Sequence, residues 1–153
     1  MKRSSYRLVL LACLSLTVAL PAYGKAPLEK IIISGSKLAH PVEVKDPELL
    51  KLSNPWFGKF ADWSSPPQAA PSGPSVYNLT LYAHLDELKA IYHFRYAPNP
   101  TGGPGQVYLP GEGEEWYRQN SSIILRDKQE GRWHPALPDW ESRIKKVLES
   151  QKK

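Results

Sequence analysis
Two stretches of strict alternation constrain this chain more than anything else in it. In 89–96, Ala90, Tyr92, Phe94 and Tyr96 fall on one side, and Lys89, Ile91, His93 and Arg95 on the other. In 76–83, Tyr77, Leu79 and Leu81 alternate with Asn78, Thr80 and Tyr82. A period of two marks strands with one face on a core. The connecting 84–88 is longer than a tight hairpin turn but suits an antiparallel pair. Around this pair the chain must build the rest of a sheet.

Further strands are short. Three consecutive isoleucines in 30–34, closed by Gly35, read as a buried strand. Residues 41–44 alternate and begin on Pro41, which fits an edge strand. Residues 106–109 form another strand, with Pro110-Gly111 expected at the centre of a type II turn. A hairpin of 121–126 with 131–134 completes the expected set. Asp46-Pro47-Glu48 carries an N-cap acid, a proline at N1 and a first-turn acid, so a helix is expected over 46–52, stopped by Asn54-Pro55. Trp140, Ile144, Val147 and Leu148 fall on one stripe of a 3.6 period and predict a C-terminal amphipathic helix started by Pro138-Asp139. The expected fold is α+β: an antiparallel twisted sheet of about five or six short strands, a short helix in the N-terminal half and a C-terminal amphipathic helix.

The N-terminus bears on destination. Lys2, Arg3 and Arg7 precede a mostly apolar run, 8–20, and Ala22 and Gly24 place small residues at −3 and −1 of a cut after Gly24. That is the pattern of a secretory signal peptide. About 13 apolar residues are short for ~30 Å of hydrocarbon, so no stable membrane anchor is expected. Leu10-Leu11-Ala12-Cys13 resembles a lipobox, but Cys13 sits inside the apolar run. We expect residues 1–24 to be a signal peptide. Residues 25–153 then form a single exported domain, periplasmic or extracellular, with a mobile Pro/Ser-rich loop at 64–75.

Without 1–24, the chain's twenty basic residues fall by three to seventeen against fifteen acids, a net charge of +2 rather than +5. The remaining basic concentration, Arg143, Lys145, Lys146, Lys152 and Lys153, complements a helix C-terminus. Aromatics interleaved with arginines suit single-stranded nucleic acid, but export and this near-neutral charge argue against such a partner. Cys13 is the only cysteine, which leaves the exported part without disulfides or a thiolate site. Stability must come from a hydrophobic core. His40, His84, His93 and His134 have no metal-ligand spacing, and no GxSxG or P-loop occurs, so neither metal nor cofactor is expected.

The segment 95–118, RYAPNPTGGPGQVYLPGEGEEWYR, concentrates backbone-shaping and surface-reactive residues. Asp46-Pro47, Asn54-Pro55-Trp56-Phe57-Gly58, Asp62-Trp63, Arg95-Tyr96, Val107-Tyr108-Leu109-Pro110-Gly111, the cluster 112–117, Asn120 and Trp133-His134 together resemble a group of small exported bacterial proteins of uncharacterised function. The resemblance covers most of the chain after residue 24. It implies a bacterial, exported, single-domain protein and assigns no functional residue.

Two functional classes follow from the residues. The first is a non-catalytic binding or interaction module for a glycan, peptide or envelope protein. Its surface candidates are Trp56, Asp62, Trp63, Arg95, Tyr108, Glu112, Glu115, Trp116 and Tyr117, because aromatics on Gly/Pro loops suit stacking platforms. The segments around Trp56–Trp63 and Trp116–Tyr117 are expected to lie side by side, with Arg95 paired to Glu112, Glu114, Glu115 or Asp62. The second class is a glycan hydrolase using one of Glu112, Glu114 or Glu115 with Asp62. It requires two carboxylates about 5–9.5 Å apart across a cleft.

Overall fold
The computed structural model describes residues 26–151 apart from Ser36 and Pro74. The signal-peptide reading, Cys13, Lys152 and Lys153 lie outside the described residues. Strands β1 (Leu28–Gly35), β2 (Val42–Val44), β3 (Tyr77–His84), β4 (Leu88–Ala97), β5 (Gln106–Tyr108) and β6 (Trp133–Pro135) form one antiparallel sheet in the order β2-β1-β3-β4-β5-β6. Helices α1 (Pro47–Ser53), α2 (Tyr117–Ile123) and α3 (Pro138–Ser150) complete an α+β fold. Asp46 caps α1 by accepting from the Leu49 amide at 2.7 Å, as its sequence position predicts. No helix among the described residues is long and apolar enough to cross a membrane.

Register decides which residues share a face, because directly paired residues point the same way. One set of rows runs Ile31–Leu81–Tyr92, Ile33–Leu79–Phe94 and Tyr77–Tyr96–Val107–His134. These side chains are buried and form the inner face. Phe60 stacks on Phe94 at 4.6 Å between ring centroids, and Trp140 of α3 sets its edge against Tyr96 at 5.2 Å. The Trp140 indole N–H, which needs an acceptor once buried, donates to Ser53 Oγ at 2.8 Å and ties α3 to α1. The predicted α3 stripe is the buried one: Trp140, Ile144 and Leu148 face the core.

Three local expectations are corrected. First, Leu81 pairs with Tyr92 but Tyr82 pairs with Ala90, so Ile91 is an extra residue on β4. This bulge interrupts the alternation: Ala90 shares a face with Tyr82 rather than Tyr92, and Ile91 is buried. Second, 121–126 is not a strand. Residues 117–123 form α2, and β6 pairs with β5 instead of closing a hairpin with 121–126. Third, the tight turn after β5 is displaced. Glu114 N–H donates to Gly111 O at 3.0 Å, and the positive φ, 87°, falls on Gly113. Gly111 occupies the first position of that turn, not its left-handed one.

The loop 64–75 runs beside the β6 edge, where Gln68 N–H donates to Trp133 O at 2.8 Å. Gln106 Nε2 reaches Gln68 Oε1 at 2.7 Å. The opposite loop, after β4, is pinned to α3 by one carboxylate. Glu141, buried, accepts from Tyr96 Oη and Gly105 N–H, each at 2.7 Å, and pairs with Lys145 at 2.9 Å. A Cβ on Gly105 would stand 2.5 Å from Glu141 Oε1 and 2.7 Å from the Tyr96 ring, so only glycine fits.

Removing this carboxylate strands a buried hydroxyl and a buried amide. Glu141→Ala is expected to destabilise by about 3 kcal/mol, and Glu141→Gln, which retains an acceptor, by roughly 1. Urea midpoints of the two variants check the difference; equal midpoints would mean that neither hydrogen bond matters.

Candidate functional site
The other face of the sheet is the outer one. Its longest row crosses five strands, Ser34–Asn78–Arg95–Tyr108–Trp133, and the next row reads Ile32–Thr80–His93. Most of these side chains are only half-buried. The Arg95 guanidinium lies 5.3 Å over the Tyr108 ring, and the Tyr108 and Trp133 rings are 5.0 Å apart. A cation on the face of a tyrosine is attracted by the ring's quadrupole.

The second row ends where β5 stops. His93 has its backbone N–H and C=O turned to a side that no strand occupies, and the amide of Asn120 fills the gap. His93 N–H donates to Asn120 Oδ1 at 2.9 Å, and Asn120 Nδ2 donates to His93 O at 2.6 Å. A side chain thus supplies the donor and acceptor that a further strand residue would have supplied. The bond pair is buried and docks α2 on β4.

Docking α2 there fixes the turn in front of it. Trp116 stands at the helix N-cap with φ 73° and ψ −14°, a left-handed conformation that a bulky residue rarely adopts. Such a residue costs on the order of 1–2 kcal/mol. It is held by Asn120 N–H on Trp116 O at 2.8 Å and by its own ring, which stacks on His93 at 5.1 Å with 14° between planes. The His93 imidazole meets Thr80 Oγ1 at 3.1 Å. Burial, with the Arg95 charge behind it, pushes His93 down from 6.5 to about 4, so it meets Trp116 as a neutral ring at neutral pH. Trp116 remains half-exposed and lines an open depression with Glu115, Arg118, Gln119 and Ser122.

Glu114 joins the two parts. Its Oε2 accepts from Tyr108 Oη at 2.7 Å and from Gly111 N–H at 2.6 Å, while Oε1 lies 3.8 Å from Arg95 Nη1. Burial pushes this carboxyl up, but the Gly111 amide, the Tyr108 hydroxyl and Arg95 outweigh it and hold it below the ordinary glutamate range. The Tyr108 phenol is pushed up to about 12 by burial and then by its bond to Glu114. The expected Arg95 contact is therefore with Glu114. It is loose, and with the two side chains 38% and 35% exposed it contributes under ~1 kcal/mol.

Of the residues singled out by sequence, Arg95, Tyr108 and Trp116 come together here through His93 and Glu114, and Glu115 lies at the rim. Glu112 is exposed on the Gly111–Glu114 turn, and Tyr117 is half-buried at the start of α2. The other three are elsewhere. Trp63 sits on the inner side, edge-on to Phe60 at 5.4 Å and 5.1 Å from the His134 ring, with the Arg126 guanidinium 4.5 Å over it. Asp62 accepts from the amides and hydroxyls of Ser64 and Ser65, which hold it down at about 2. Trp56 is half-buried against the core, its amide held by Asn54 Oδ1 at 3.0 Å. The two aromatic segments do not lie side by side, because the sheet separates Trp63 from Trp116.

The surface candidates chosen from sequence did not include His93, Asn120, Trp133, Arg118, Gln119 or Ser122. One signal was available: Trp116, Asn120, Ile123 and Ile124 recur at helical spacing. Among the described residues no group of three or more His, Cys, Asp or Glu is arranged to hold a metal ion. The chain matches no family model, no curated protein and no solved structure.

Asn120→Ala leaves the His93 amide and carbonyl buried and unpaired, so it is expected to destabilise by about 2–4 kcal/mol. Denaturant unfolding checks this, and a loss below about 1 kcal/mol would mean that water replaces the amide without penalty.

Proposed function
We propose that this protein is an exported binding module that takes saccharides on the outer sheet face, with Trp116 as its platform. The observation that carries the reading is the left-handed Trp116. Backbone strain at a half-exposed indole, offset by a dedicated stack on His93, is the kind of outlier that marks a functional position. Polar side chains capable of bonding hydroxyls, Glu115, Arg118, Gln119 and Ser122, rim the same depression. Stacking on a flat aromatic with hydrogen bonds around it matches a sugar ring better than an extended peptide, which adds to a free strand edge. Here the β6 edge is already met by Gln68. Export rests on the N-terminal sequence pattern alone.

The hydrolytic alternative has less support. Asp62, at the β6 edge, spends both oxygens on Ser64 and Ser65, and Glu114 spends one on Tyr108 and Gly111.

A Trp116→Gly variant tests the proposal. Glycine adopts φ 73° without strain, and that relief offsets a lost ring stack worth roughly 0.5–1.5 kcal/mol. The variant is expected to keep its melting temperature within a few degrees while losing at least about tenfold in affinity for oligosaccharides bound by the parent on a glycan array. Unchanged binding would remove Trp116 from the site.

A further inference from the structure
Arg95 lies two residues from His93 on the outer face of β4, with its guanidinium over the Tyr108 ring. We infer that the saccharide bound on this face is acidic, with a carboxylate seated on the Arg95 guanidinium; this rests on the reading of the outer face as a saccharide site.

The guanidinium carbon lies 5.3 Å over the Tyr108 ring centre, a contact that holds the side chain on the outer face. Among the described residues it makes no hydrogen bond to a protein acceptor. Its one ion pair, to Glu114 Oε1, is 3.8 Å long, and the other oxygen of that carboxylate is taken by Tyr108 and Gly111. A planar fork left open in this way suits a second carboxylate bound in bidentate fashion. The side chain is 38% exposed, so the fork is reachable from solvent.

Spacing supports the same partner. Arg95 lies two residues from His93 on one face of β4, on the order of 7 Å along the strand. A carboxyl on a sugar ring stacked on Trp116, as in a uronic acid, needs to reach about that distance from above His93 to meet the guanidinium, while Arg118, Gln119 and Ser122 line the depression beside Trp116 and remain for hydroxyls. Glu114 acts against this by its own charge, yet its Oε2 is taken by Tyr108 and Gly111 and its Oε1 stands 3.8 Å from the guanidinium, too far to close it.

The test compares trimers of galacturonic and mannuronic acid with their methyl esters, which keep ring and length but lose the charge. Isothermal titration with the parent protein is expected to give about ten- to hundredfold tighter binding of at least one acid than of its ester. That preference should weaken with added salt. Arg95→Gln should bring the acid down to the level at which the parent binds the ester, and Glu114→Gln should raise the acid's affinity a few-fold. Equal binding of acid and ester overturns the inference and leaves the saccharide surface standing. So does binding of neutral oligosaccharides alone, lost in Trp116→Gly. If neither charged nor neutral saccharides bind, both readings fall together.

Discussion

The pair of hydrogen bonds between the Asn120 amide and the His93 backbone is the constraint on which the outer face depends. β5 is only three residues long, so β4 would otherwise present an unpaired peptide in the middle of the sheet. Filling that gap with a side chain, rather than a strand residue, brings a helix against β4. The approach of α2 determines how the preceding turn must close: through Glu114 onto Gly111, then through a left-handed Trp116 whose ring settles on His93. One short strand thus leads to a fixed, half-exposed indole. The strain at Trp116 and the stack on His93 are of similar size, about 1 kcal/mol each, so the arrangement needs the buried Asn120 pair to hold it.

The two faces of the sheet use aromatics differently. On the inner face Phe60, Phe94, Tyr96 and Trp140 pack closely and exclude water. Trp63 and His134 belong to this side, with Arg126 laid over the indole and donating to Pro55 O. Their Trp63 Nε1, Arg126 Nε and both His134 ring nitrogens are buried without a protein partner among the described residues. Burial pushes His134 down, with the Arg132 charge acting the same way and the Gln129 backbone and Asp62 acting against it. The outer face instead leaves Tyr108, Trp116 and Trp133 partly open and lines them with charged groups. The proposed binding surface is on that side.

Much of this fold was legible because local signals agreed with the global pattern. Asp46-Pro47 capped a helix, the Trp140 stripe marked its buried side, and the alternation of 76–83 with 89–96 identified the central pair. Ile91 was the visible warning that this alternation breaks, since it placed an isoleucine among polar neighbours. The helix α2 is faint in sequence: Trp116, Ile123 and Ile124 are its apolar signal, Arg-Gln-Asn-Ser-Ser within it is polar, and Asn120 matters through hydrogen bonding rather than hydrophobicity. The candidate site was half legible. Arg95, Tyr108 and Trp116, chosen for residue type, come together on the outer face, but Arg95 and Tyr108 do so from strands β4 and β5 rather than from loops. Trp56, Asp62 and Trp63 were chosen on the same grounds, but adjacency in sequence does not say which side of a sheet a loop will cover. The role of His93 could not be read at all, because it depends on where β5 ends.

The most direct test of the outer-face account is a titration of the protein's indole N–H resonances with a bound oligosaccharide, the five tryptophans being assigned by substitution. The account predicts that Trp116 and Trp133 shift while Trp63 and Trp140 do not. Shifts at Trp63 with none at Trp116 would place the ligand on the wrong side of the sheet and contradict it.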